Sequence, residues 1–122
     1  MKLSAVRLFV DDLAAAKAFY ADRLRLRLTH DGSSQGYCVF DSAGLHIVLE
    51  AVAREAPAED RALVGRFSGL SFGVEDIQAE HARLAGLGVA FSGAPEQESW
   101  GGWLATFEDP SGNELQLAQY PA

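Results

Sequence analysis

The feature that most limits what this chain can become is an internal repeat. Leu8-Phe9-Val10-Asp11-Asp12-Leu13 is echoed by Phe72-Gly73-Val74-Glu75-Asp76-Ile77, an offset of 64 in a chain of 122 residues. In each copy an apolar, strand-like run meets an acidic pair and passes into a helical pattern. Asp12 and Asp76 stand where a short carboxylate caps a helix by accepting from otherwise orphaned amides; position favours that role over catalysis. Leu13, Ala16, Phe19, Tyr20 and Leu24 then recur at three- and four-residue steps, as do Ile77, His81 and Leu84. Gly86 and Gly88 end the second helix around Leu87.

Strand-like pieces follow each helix: Leu26–Thr29, Gly36–Asp41 and Leu45–Ala51, then Val89–Ser92, Trp103–Glu108 and Glu114–Gln119. Between the copies lies a polar, Ala-rich stretch with Pro57, read as a linker over 53–66 with a helical turn across Asp60–Val64. Each half is therefore strand–helix–strand–strand–strand, module 1 over 1–52 and module 2 over 67–122. A module of about 55 residues cannot bury a sheet face by itself, so the two are expected to pack as one domain.

Charge and cysteine content then narrow the partners. Ten Lys and Arg against seventeen Asp and Glu leave a net −7, the wrong sign for phosphate neutralisation, so nucleic acid and anionic membranes are not expected partners. Arg23, Arg25 and Arg27, spaced by two, would share one face of a strand. No apolar run approaches the ~18–20 residues of a membrane span, and the apolar segment near Met1 is too short for a signal peptide. A single cysteine, Cys38, permits no internal disulfide and reads as a buried, inert thiol in a cytoplasmic protein.

At this point the sequence resembles the vicinal oxygen chelate superfamily, which spans glyoxalases, extradiol dioxygenases and bleomycin-resistance proteins. The residues that carry the resemblance are Val10-Asp11-Asp12-Leu13 with Phe19-Tyr20, Phe72-Gly73-Val74-Glu75-Asp76-Ile77, and the closing Phe107-Glu108-Asp109-Pro110-Ser111-Gly112-Asn113-Glu114-Leu115-Gln116-Leu117. The resemblance implies an α+β fold of two βαβββ modules forming an incomplete barrel around a pocket. It also implies a homodimer, which the exposed edges of an open barrel would favour.

In metal-using relatives of that kind, inward residues on the first and last strands of each module hold an ion that acts as a Lewis acid. Carried over position by position, the pattern gives Ala5 and Gly69 on the first strands, where no side chain can donate a pair. Gln116 stands on the final strand in place of an expected Glu. On Leu45–Ala51 the equivalent is His46, Val48 or Glu50, which share one strand face. His46 and Glu50 are about 13 Å apart at ~3.3 Å per residue, too far for one ion on a flat strand. The expectation is thus no metal and no cofactor.

Arg7 shares the first-strand face with Ala5 and Phe9. It could bind a ligand carboxylate or enolate oxygen, or form an internal ion pair with Glu50, Glu114 or another acid, the latter being favoured. Trp100 and Trp103 flank a Gly-Gly and could stack on a flat ligand at a pocket mouth. Tyr37, Phe40, Phe72, Phe91 and Phe107 are expected in the core, and His30 and His81 on the surface. The expected ligand site therefore comprises Arg7, His46, Val48, Glu50, Trp100, Trp103 and Gln116. The leading reading is a metal-independent binding protein for an aromatic or hydrophobic small molecule, resembling the bleomycin-resistance branch; the charge of −7 would suit a cationic ligand. The alternatives are a glyoxalase-like lyase, isomerase or dioxygenase with an atypical metal set around His46, Glu50 and Gln116, or a degenerate interaction module. Whether the protein is an enzyme stays open at this level.

Overall fold

Alternation of side chains over residues 5–10 produces strand β1 (Ala5–Val10), with Leu8 and Val10 buried on one face and Arg7 and Phe9 on the other. A computed structural model describes all residues of the chain, Met1–Ala122. Asp12 ends the strand and caps α1 (Leu13–Ala18), its Oδ1 accepting from the Ala15 amide at 3.0 Å. The helix continues as one wider turn over Phe19–Arg23, where the Leu24 N–H donates to the Phe19 carbonyl five residues back. Tyr20 and Phe19 are thereby carried into the core, where they meet edge to face at 5.3 Å.

Three further strands complete the first sheet: β2 (Arg27–Gly32), β3 (Tyr37–Ser42) and β4 (Leu45–Ala51). Their order is β1-β4-β3-β2, with β1 parallel to β4 and the other neighbours antiparallel. Cys38, Phe40, Ile47 and Leu49 are buried on the face that takes α1. A short helix α2 (Ala58–Arg61) follows, two residues earlier than the linker pattern suggested, because Pro57 supplies its entry.

The second sheet repeats the plan with β5 (Phe67–Gly73), α3 (Ile77–Gly86), β6 (Glu96–Gln97), β7 (Trp103–Glu108) and β8 (Glu114–Gln119), ordered β5-β8-β7-β6. Asp76 caps α3 through the Ala79 amide at 3.1 Å, as Asp12 caps α1. Leu84, Ile77, Leu115, Leu117, Ala105 and Phe107 are buried in this unit. Each unit is thus a βαβββ module, and the fold class is α+β.

By compactness the chain divides into Met1–Arg66 with Pro110–Asn113, and Phe67–Asp109 with Glu114–Ala122. The short segment Pro110–Asn113 therefore belongs with the first unit. Asn113, buried, explains the assignment: its Oδ1 accepts from the Gly65 and Arg66 amides at 2.9 and 3.4 Å, and its Nδ2 donates to the Phe9 carbonyl at 2.8 Å.

Three local expectations change. Val89–Ser92 is not a full strand: Phe91 makes an isolated bridge to Phe107, and the edge strand is Glu96–Gln97 instead. The pairing of 89–92 with β7 is confined to that bridge, with the Ser92 amide donating to the Thr106 carbonyl at 2.9 Å and the Glu108 amide to the Ala90 carbonyl at 3.0 Å. Gly93 and Pro95 prevent its extension, Pro95 having no N–H to offer. Of the three alternating arginines only Arg27 lies in a strand, since Arg23 closes the wide turn and Arg25 adopts φ +58°. Tyr37, expected in the core, is half-buried on the opposite face because it alternates with buried Cys38 and Phe40, and its hydroxyl lies 3.1 Å from Nε2 of His30 in β2.

Candidate functional site

The face of the first sheet opposite α1 carries the polar residues singled out in the sequence. Strand register arranges it in rows: Ala5, His46 and Asp41; Arg7, Val48 and Val39; Phe9, Glu50 and Tyr37. Arg7, His46, Val48 and Glu50 thus share one surface. Arg7 is committed on it: Nε and Nη2 donate to the two Glu50 carboxylate oxygens at 2.9 and 2.8 Å. Its guanidinium also stands 5.3 Å from the centre of the Phe9 ring. The hydrogen bond and charge of Glu50 raise the Arg7 pKa further above its ordinary value. Such a bidentate pair orients both side chains, and its exposure keeps its energetic worth small.

Two hollows flank the pair. One, of about 510 Å³, has Tyr37, Val39, Val48 and Glu50 along its walls; the other, of about 420 Å³, is bounded by Arg7, Phe9, Glu50 and Leu63. Both lie within the size range of small-molecule sites, and Glu50 belongs to both. His46 adjoins Asp41 and lines neither.

In the second unit Gln116 occupies the corresponding face. Its Oε1 accepts from the Ser71 hydroxyl at 3.4 Å, and its Nε2 donates to Thr106 Oγ1 at 3.2 Å. The tryptophans separate. Trp103 stands opposite Gln119, whose Oε1 accepts from the Ile77 amide at the start of α3, so Trp103 belongs to the helix-covered face. Trp100 is exposed and lies 5.8 Å from Tyr120, ring centre to ring centre, tilted by 36°. Tyr120 in turn covers Gly73, which pairs with Ala118 on the Gln116 face. Tyr120 was not singled out in the sequence; its position just beyond β8, in step with Gln116 and Ala118, is the signal that could have found it.

Register also resolves the position left ambiguous on β4. Ser71 pairs with Gln116 in the second unit, and its repeat equivalent Arg7 pairs with Val48 in the first. Val48 is therefore the counterpart of Gln116. The positions that the resemblance assigns to metal ligands are thus Ala5, Val48, Gly69 and Gln116, which offer one neutral amide and neither imidazole nor carboxylate. Gly69 is further set apart by φ +75° inside a register break of β5. This donor set does not fit a divalent Lewis acid, which needs three or four His, Asp or Glu ligands converging on one point. No group of three or more His, Cys, Asp or Glu elsewhere is placed to hold one.

Two βαβββ modules, each with a parallel first–last strand pair and a polar face turned from its helix, define the class of small metal-chelate-fold proteins. This chain belongs to the Glyoxalase/Bleomycin resistance protein/Dioxygenase superfamily, whose family model matches residues 2–117. Among its relatives, Bacillus subtilis (strain 168) YraH is 30% identical across 96% of this chain and 97% of that protein. The solved structure of TnmS3, described as an antibiotic binding protein from Streptomyces sp. CB03234, is 28% identical with a TM-score of 0.75, covering 99% of this chain and 97% of that one. A superfamily member from Sphaerobacter thermophilus DSM 20745 shares the fold at a TM-score of 0.80 and 23% identity, covering 98% and 97%. No helix is long and apolar enough to cross a membrane.

Proposed function

We propose that this protein binds an aromatic or hydrophobic small molecule, without a metal. The observation that carries the reading is the donor set: Ala5, Val48, Gly69 and Gln116 stand where metal users of the superfamily place ligating side chains. Beside Ala5 and Val48 in the first unit stand an Arg7–Glu50 pair at 2.8 Å and two hollows of mixed polar and apolar lining. Such surfaces bind by desolvating flat or apolar groups while a few oriented polar groups fix the pose. Binding of a small molecule has a precedent at 28% identity in TnmS3, described as an antibiotic binding protein. The net charge of −7 favours ligands that also carry a cationic group.

In this reading Val48, Glu50 and Arg7 of the first unit contact the ligand, with His46 as a polar neighbour; in the second unit, taken by itself, Gln116 and the exposed Trp100 are the groups on offer. Trp103 contributes by packing. The protein acts as a homodimer, which sedimentation at tens of micromolar would detect.

A library screened by thermal shift and tryptophan fluorescence, with and without EDTA, tests the reading, because a ligand of the folded state raises the melting temperature by mass action. Hits whose binding is insensitive to EDTA and weakened by Glu50→Gln and Val48→Ala are expected. Stoichiometric Ni, Zn, Fe or Mn in the purified protein, lost on His46→Ala and required for binding, would overturn it in favour of a metalloenzyme.

A further inference from the structure

A third cleft, adjoining the hollow beside Arg7 through Val52 and Ala53, lies where the parallel neighbours β1 and β4 both end. It measures about 710 Å³, and its charged lining is Asp11, Asp12, Arg54 and Arg61, over an apolar floor of Val52 and Val64. The opposite charges do not neutralise one another. Asp12 uses Oδ1 to cap α1, and Asp11 uses Oδ1 to accept from the Ser111 hydroxyl at 2.8 Å. Each carboxylate keeps its second oxygen. Arg61 donates from Nε to the Ala56 carbonyl at 3.0 Å and keeps both terminal nitrogens, while Arg54 makes neither a hydrogen bond nor an ion pair.

Three of these four charges are therefore held in place by neutral partners and still have an open edge. Fixed charges cost less ordering on binding than free ones. The floor is fixed as well, since Val64 bridges to Phe9 and the adjacent Gly65 amide is held by Asn113.

A simple anion would face Asp11 and Asp12, and a simple cation would face Arg54 and Arg61, so either gains on one side and loses on the other. A ligand bearing both charges gains at both. The volume, about 710 Å³, admits a dipeptide with space to spare. We infer that this cleft binds a short zwitterionic peptide. Its carboxylate is taken by Arg54 and Arg61, its ammonium by the free oxygens of Asp11 and Asp12, and its apolar side chain by Val52 and Val64. The cleft adjoins the hollow beside Arg7 and Glu50, sharing Val52 and Ala53 with it, but its four charged residues line neither hollow, so the inference does not rest on the function proposed above.

The probe is the dipeptide L-alanyl-L-phenylalanine, alongside its N-acetylated and C-amidated forms, titrated into the full-length ¹⁵N-labelled protein. The amides of Val52, Val64 and Ser111 should shift on titration to about 10 mM, the weak end of specific affinities. Each capped form should bind about tenfold more weakly. Arg54→Gln should weaken the intact dipeptide and leave the amidated form unaffected. Asp12→Asn, which keeps the helix cap, should weaken the intact dipeptide and leave the acetylated form unaffected. Shifts absent from the cleft amides, or capped forms binding as well as the intact dipeptide, would overturn the inference. Inorganic phosphate competing as well as the dipeptide would instead mark a plain anion site and also refute it.

Discussion

Asn113→Ala is the substitution that most directly tests how the first unit is held together. The side chain is 2% exposed and bonds the Gly65 and Arg66 amides and the Phe9 carbonyl. Truncation removes one bond at 2.9 Å and one at 2.8 Å, with a weaker one at 3.4 Å. It also leaves an amide and a carbonyl in partly buried surroundings without their partner. A hydrogen bond contributes about 1 kcal/mol net, and an orphaned buried group costs about 1–3 kcal/mol. Water entering the space left behind would recover part of that, so the expected loss is about 2–4 kcal/mol. At this chain length such a loss corresponds to a melting temperature lower by roughly 10 °C. Urea unfolding followed by circular dichroism should show the midpoint falling with the slope unchanged. Asn113→Asp separates the contributions: at neutral pH it keeps an acceptor for Gly65 but loses the donor to Phe9, and protonating the introduced carboxyl should restore part of the stability. A loss under about 0.5 kcal/mol for Asn113→Ala would refute the reasoning.

Other consequences follow from single positions. Ala43 adopts φ +48° beside Gly44 at φ +91° in the two-residue connection of β3 and β4. Ala43→Asn or Ala43→Gly should therefore raise stability by about 0.5–1 kcal/mol in urea, and a loss would contradict the strain. At Gly102 an added Cβ would lie 1.8 Å from the Trp100 ring. Gly102→Ala should displace the exposed ring from Tyr120 and shift its emission, with little change in melting temperature; unchanged emission would count against the stack. Asp31 is held well below its ordinary 3.8, first by the Ser33 hydroxyl and then by Lys17. In acid the unfolded chain takes up that proton before the folded one, so stability rises with pH there: the contribution is complete above about pH 5 and is lost as pH falls through and below the ordinary carboxyl range. Asp31→Asn should flatten the acid limb of a melting-temperature profile and leave its shape above pH 5 unchanged.

Much of the fold was legible because it is written locally. The Val10–Leu13 and Val74–Ile77 echoes announce two modules, and Asp12 and Asp76 cap helices in the structure as their position requires. The same holds for Leu45–Ala51, Trp103–Glu108 and Glu114–Gln119, which are rich in strand-forming residues, alternate over much of their length and are bounded by turn residues. Ala5 and Gly69 were recognisable as non-ligands from residue type alone. The rest depends on pairing between distant segments. That Val48, and not His46 or Glu50, is the counterpart of Gln116 follows only from the parallel registers Arg7–Val48 and Ser71–Gln116. A shift of one residue would turn every side chain to the opposite face. Trp100 and Trp103 look alike in sequence, and only the pairing of Trp103 with Gln119 assigns it to the helix side. The edge strand moved from Val89–Ser92 to Glu96–Gln97 because β7 decides which backbone it pairs with. Arg7 could have met several acids; across parallel strands, Glu50 is the one within bonding distance. Local chemistry thus determined which elements form and where they end. Partners 40 or 100 residues apart were chosen by tertiary packing, because those contacts exist only once the strands have found their register.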